Sequence, residues 1–317
     1  MIDFNKSIDK NLKTLSISTT LGLIAKPKDQ EKMLENTYNK HYNNPDSEYY
    51  HLSKDEIKAI WENKGATSRM YGSLLDDYIG IKLTGTPDAL EMYKLDNDVD
   101  GDERLKGLIS SFENFWSVLS KSGDMEFIDR EKTIYYKVGD YYIKGRFDAL
   151  FRNKRTGKWV IIDWKSSKSI EYKNVWEKLL GPAKTYDDCN HVTYTMQGYF
   201  YKTALIYSGY LPEGTTEDDV EFLIVQLPGF VIDEGQNFKI HKPAFKYDKE
   251  FMDRIFDFAI RKNMLLESKM SNISIMKNYF LETKSTICDV DINKEEVKER
   301  YCDKNINSSY FTKFNVE

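Results

Sequence analysis

The chain has 317 residues, 40% hydrophobic and 14% aromatic, enough to bury a sizeable core in one or two domains. A formal net charge of -5 argues against gripping a polyanion through overall charge, although it leaves room for a local basic groove. Cys189, Cys288 and Cys302 are odd in number and far apart, and with no CxxC pair they argue against structural zinc and a four-cysteine iron–sulfur cluster.

Residues 1 to about 100 read as mostly helical and polar, with Asp55–Trp61 and Met70–Ile79 the clearest helical stretches. Asp96-Asn97-Asp98-Val99-Asp100-Gly101-Asp102 is an acidic loop. Gly107 and Leu108 stand where a calcium loop needs its glutamate, so it reads as solvated. Leu105, Leu108, Ile109, Phe112, Phe115, Trp116 and Leu119 have helical spacing within Glu103–Ser120. Thr133–Val138 and Tyr141–Phe151 flank Gly139-Asp140 and predict a hairpin, with Lys158–Trp164 as the next strand. A helix over Thr193–Tyr207, stopped by Ser208-Gly209, precedes a strand over Val220–Leu227 and another between Phe238 and Tyr247. Asp248 is placed to cap a helix running to about Ser268, and a short helix is expected near Glu295–Cys302. No run approaches the roughly 18 apolar residues of a membrane span.

The chemistry concentrates in Lys144-Gly145-Arg146-Phe147-Asp148 and, fourteen residues later, Asp163-Trp164-Lys165. An acid-x-lysine triplet means little by itself, since Glu56-Ile57-Lys58, Glu171-Tyr172-Lys173, Glu267-Ser268-Lys269, Glu282-Thr283-Lys284 and Glu296-Val297-Lys298 have the same form in polar stretches. Asp163 differs in following the apolar run Trp159-Val160-Ile161-Ile162, which reads as a strand buried on both faces. Strand alternation puts Asp163 and Lys165 on one face and Trp164 on the other. If Asp148 and Asp163 end paired strands, two hard carboxylates converge at a sheet edge and suit Mg2+ or Mn2+. Lys165 is then placed to position the attacking water or to stabilise charge on a phosphate, and burial would lower its pKa. The alternative is a surface salt bridge between strand ends.

Downstream, Gln197-Gly198-Tyr199-Phe200-Tyr201 puts Gln197 and Tyr201 at i, i+4 on one helix face, a neutral hydrogen-bonding pair suited to a phosphate backbone. Arg146 and Lys168 flank these residues, either as phosphate contacts or as solvated charge. His191, near the start of the same helix, reads as capping or packing rather than substrate contact. Tyr135, Tyr136, Tyr141 and Tyr142 read as sheet packing.

The ordered set Gly145-x-x-Asp148, Asp163-x-Lys165, Gln197-x-x-x-Tyr201 resembles the RecB-type branch of the PD-(D/E)xK nuclease superfamily. Glu131 fits an acid often found ahead of the Gly-x-x-Asp strand, and Ile60-Trp61-Glu62 through Gly72-Ser73-Leu74-Leu75-Asp76 resembles the family's first helix. Many members carry a histidine at the position of Asp76, leaving two outcomes: a carboxylate ligand there, with Asp77 as the competing choice, or no ligand. The resemblance covers roughly 54–208, and more loosely Ser16–Thr20. The cluster-free members fit, because the four cysteines of the iron–sulfur type are missing.

The resemblance implies an α/β fold with a central mixed sheet flanked by helices, a restriction-endonuclease-like core, and an N-terminal helical region. The expected division is 1–103 (helical, part of the nuclease module), 104–268 (core) and 269–317 (polar extension). It implies a metal-dependent deoxyribonuclease, an exonuclease of DNA repair, recombination or replication. Asp148, Asp163, the Trp164 carbonyl and Asp76 would hold Mg2+ or Mn2+, Lys165 would assist the water, and Gln197, Tyr201, Arg146 and Lys168 would hold DNA. With no GxxxxGK[ST] loop in the sequence, a helicase, recombinase or single-strand-binding protein would be a separate partner. The expected setting is cytoplasmic, or the host cytoplasm for a virus-encoded chain, without a membrane. An endonuclease with the same metal core, or a binding module that has lost catalysis, remain alternatives.

Overall fold

The computed structural model describes residues 4, 6, 8–232 and 235–283, the last stretch from 270 by its backbone alone. The expected helix near Glu295, Cys288 and Cys302 lie outside the described residues. The architecture is α/β with mixed sheets flanked by helices, as the patterning implies.

Helices dominate the first 120 residues. α1 (Ile17–Ile24) follows the edge strand β1 (Lys13–Ser16), and α2 (Gln30–His41) buries no residue. α3 (Lys54–Thr84) joins the two expected stretches into one helix. Ser53 and Glu56 close a capping box at its start, with Glu56 Oε2 accepting from Ser53 N at 2.8 Å. The single glycine between the stretches, Gly65, costs only about 1 kcal/mol, which the packed C-terminal half of α3 outweighs. α4 (Pro87–Asp96) runs into the acidic loop, whose last residue, Asp102, caps α5 (Glu103–Ser120) by accepting from Arg104 N and Leu105 N at 3.0 Å each.

The strands that follow are β2 (Met125–Arg130), β3 (Thr133–Val138), β4 (Tyr141–Arg146), β5 (Ala149–Asn153) and β6 (Trp159–Lys165). After α6 (Asn190–Tyr207) come β7 (Val220–Gln226), β8 (Lys239–His241) and α7 (Lys249–Thr283). Asp248 caps α7 by accepting from Phe251 N at 3.0 Å, and the helix runs through position 268 to Thr283.

The expected single central sheet is two sheets, one ordered β1-β4-β3 and one β2-β5-β6-β7-β8. The strand predicted over Tyr141–Phe151 breaks at Phe147-Asp148; its first half pairs with β3 and its second with β6. Asp148 therefore ends no strand. It sits at the bend where the chain leaves one sheet for the other.

The five-stranded sheet separates two cores. Trp159 and Ile161 pack in the layer of α6 and α7, and Val160, Ile162 and Trp164 in the layer of α3 and α5. This period-2 alternation along β6 decides which way each site residue points.

Candidate active site

Asp163 lies in mid-β6, two residues before the strand ends, and faces the α6 layer. It is 1% exposed, and among the described residues its carboxylate has no donor besides the Lys165 ammonium. A buried charge without donors is costly unless a cation answers it. Lys165 Nζ, on the same face, lies 2.6 Å from Asp163 Oδ2 as a contact of charges. Trp164 faces the other way and packs edge-on against Phe112 and Phe115.

Asp148 reaches β6 from the bend, where its Oδ2 accepts from Trp164 N at 2.8 Å. Burial, then the nearby charge of Asp163, pushes the Asp148 carboxyl well above the usual range, while Lys165 opposes the shift. Burial also raises Asp163. For Lys165, burial pulls downward, but the charges of Asp163 and Asp148 outweigh it and hold the ammonium above its ordinary value. This corrects the expectation of a lowered lysine: a buried amine beside two acids stays a cation.

The backbone of β6 also turns toward Asp148. Lys165 O accepts from Leu227 N on the β7 side, so alternation turns the Trp164 peptide toward Asp148, as its N–H bond confirms. The Trp164 carbonyl leaves on the same edge.

On α6, Gln197 Oε1 accepts from Lys165 Nζ at 3.2 Å, and Gln197 Nε2 donates to Tyr201 OH at 2.7 Å. Tyr201 is 1% exposed, so it acts on the site through Gln197. Close approach of α6 depends on Gly145, where a Cβ would lie 2.4 Å from Phe200 Cε1. Tyr194, unremarked in the sequence, puts its ring 4.4 Å below Lys165 Nζ.

Asp76 lines a cavity of about 210 Å³ with Asp148, Trp164, Lys165 and Ser166. It comes from α3, on the other side of the sheet from the Asp163 side chain, and its Oδ1 accepts from Arg130 at 2.9 Å. Arg130 also bonds the Asp76 carbonyl at 3.1 Å and lies where a Cβ on Gly80 would be, 1.5 Å from its position. Glu131, in the left-handed region with φ 50°, donates its N–H to the Asp148 carbonyl at 3.2 Å. Its carboxylate pairs with Arg130 at 3.4 Å and Arg146 at 3.2 Å. Arg130 is the residue the sequence did not reveal, because a lone arginine at a strand end carries no pattern.

Lys168 is exposed in the loop after β6. That loop is braced from behind: Gln226 Nε2 donates to Ser167 O at 3.0 Å, and His241 Nε2 donates to Gln226 Oε1 at 3.0 Å. Tyr172 bonds His241 Nδ1. His191 packs against Tyr172 and donates to Lys242 O at 2.6 Å, in agreement with a packing role.

Among the described residues no group of three His, Cys, Asp or Glu side chains is placed to hold a metal ion. The acids that do come together are Asp163 and Asp148, with Lys165 between them and solvent. Two hard carboxylate oxygens and room for water fit a small divalent cation better than a soft one. Asp76 borders the cavity that Asp148 lines but is engaged by Arg130.

No family model matches the sequence, and a search of curated proteins gives no match. Among solved structures, one from Eubacterium rectale named "Putative exonuclease" is similar at 13% identity, covering 80% of this chain and 83% of that one, with a TM-score of 0.38. So loose a superposition leaves the reading to this chain's own residues. Among the described residues, no helix is long and apolar enough to cross a membrane.

Proposed function

We propose that the chain is a metal-dependent deoxyribonuclease, acting as an exonuclease in DNA repair, recombination or replication. The observation that carries this is the buried carboxylate of Asp163, answered among the described residues by the Lys165 ammonium alone, beside Asp148, which with Lys165 lines the adjoining cavity. Ordinary folding gives no reason to keep such a group.

On this reading Asp148 and Asp163, with the Trp164 carbonyl, hold Mg2+ or Mn2+, while Asp76 answers Arg130. When bound, the cation polarises the scissile phosphate and lowers the pKa of a water. Lys165, held as an ammonium, stabilises negative charge on the phosphate rather than accepting a proton. Gln197 fixes the Lys165 amine, and Tyr201 fixes Gln197. Arg146 and Lys168 stand at the rim as contacts for the DNA backbone. A helicase, recombinase or single-strand-binding protein would come as a separate partner.

The test is cleavage of labelled linear and covalently closed DNA with Mg2+ or Mn2+, and again with EDTA. Asp163→Ala and Lys165→Ala should each lower the rate by about 10²–10⁴-fold or more with circular dichroism unchanged. Full activity in either variant removes the assignment. An exonuclease spares closed circles; their cleavage would make the enzyme an endonuclease.

One observation favours a second reading, a nucleic-acid-binding module without catalysis: Asp76, the acid that lines the cavity with Asp148, is paired with Arg130. Binding without cleavage across both metals would establish it.

A further inference from the structure

Beyond Lys165 the acid cavity opens into a second cleft of about 450 Å³, and the two share Trp164, Lys165 and Ser166. Its wall differs in kind from that of the cavity. Arg104 and Lys168 join Lys165 there, with the hydroxyls of Ser68, Ser166, Ser167 and Ser169, and no carboxylate lines it. In a chain of net charge -5 this is a local concentration of cations and hydroxyl donors.

Each side chain is placed by its element. Arg104 stands in the first turn of α5, where the helix dipole adds positive potential, and its guanidinium lies over the Tyr71 ring at 4.3 Å. Asp102 is engaged by Tyr71 OH and by the α5 backbone, so it leaves the Arg104 fork available to the cleft. Ser167 Oγ is buried with no hydrogen-bond partner, although its loop is braced by Gln226. Tyr194 closes one side with its ring.

We infer that this cleft carries the nucleic-acid strand away from the acid cavity, with Arg104 and Lys168 each pairing a phosphate next to the scissile one. The chemistry is that of a phosphodiester backbone: a guanidinium fork and a point charge for the anionic oxygens, hydroxyls for the remaining acceptors, and one aromatic face for a base. A small anion would leave most of this wall unused, whereas a strand running on from the cavity meets all of it. The inference rests on the nuclease reading, since it takes the acid cavity as the place of cleavage, but its binding arm is separable.

The experiment measures fluorescence anisotropy of a labelled single-stranded oligodeoxynucleotide of about 12 nucleotides, in EDTA, from about 50 to 200 mM KCl. Arg104→Gln/Lys168→Gln should weaken binding by about tenfold or more at the lower salt. It should also flatten the log–log salt slope by about 1.4, two phosphate contacts at about 0.7 each. The charge-matched Lys121→Gln/Lys154→Gln control should bind as the wild type does, and Arg104→Lys/Lys168→Arg should recover most of the slope. With Mg2+ the double variant should raise KM and leave kcat within about threefold.

Equal affinity and slope in wild type and double variant overturn the inference, as does a wild type that binds no oligonucleotide. Lost binding in the double variant, with no cleavage by the wild type, supports the cleft and removes the nuclease reading alone.

Discussion

Asp148 and Asp163 set a local conflict that folding by itself does not resolve. Each raises the cost of ionising the other inside a buried site, and Lys165 answers the pair with one charge. Asp148→Asn keeps an acceptor for Trp164 N while removing one of the two like charges. It should therefore raise the melting temperature in EDTA by about 2–4 °C, about 1 kcal/mol in a protein of this size. Added Mg2+ should stabilise the wild type more than the variant in the same thermal scan. A lower melting point in EDTA would mean that the two acids do not repel. At this scale the sequence was informative where residues shared a short local pattern: the Asp163/Lys165 face follows from strand alternation, and Gln197/Tyr201 from helical spacing. Arg130 was not legible, because its claim on Asp76 joins residues 54 positions apart. The direction of the Lys165 shift also needed the three-dimensional balance of charges.

Elements bring these residues together through two devices that can be broken separately. Gly145 lets α6 lie against β4; Gly145→Val would drive a branched side chain into Phe200 and Tyr201. The expected cost is about 2 kcal/mol or more in urea unfolding, with Gln197 drawn off Lys165. The second device is the β8 brace. Burial, with the charges of Lys239 and His191, lowers the His241 imidazole to about 4. The unfolded chain, with a value near 6.5, takes up its proton first as pH falls, so this contribution is intact above 6.5 and is lost between about 6.5 and 4. His241→Gln should shrink that part of the pH dependence of unfolding free energy, measured against the wild type across the window. An unchanged slope would show that other groups set it. Long periodic helices such as α5, and the buried strand β6, were legible. β1 and β2 were not: four residues at an edge, and Met-Glu-Phe-Ile-Asp-Arg with acids in it, become strands through their partners.

Over the whole molecule, the two sheets meet at Phe147-Asp148. The hairpin signal predicted one continuous strand there, since local sequence does not encode where a strand changes partners. The bend gives one acid a footing in both sheets: β4 delivers it from the first, and its companion Asp163 belongs to the second. A cation drawn between these carboxylates would act as a rivet across the seam. Apart from any chemistry, the loaded protein should unfold as one cooperative body. Stripped by EDTA, the β1-β4-β3 sheet should loosen ahead of the five-stranded one, with amide exchange at Ile143 outpacing that at Ile161. Equal exchange at both positions, with and without Mg2+, would mean that the seam is already closed by packing alone.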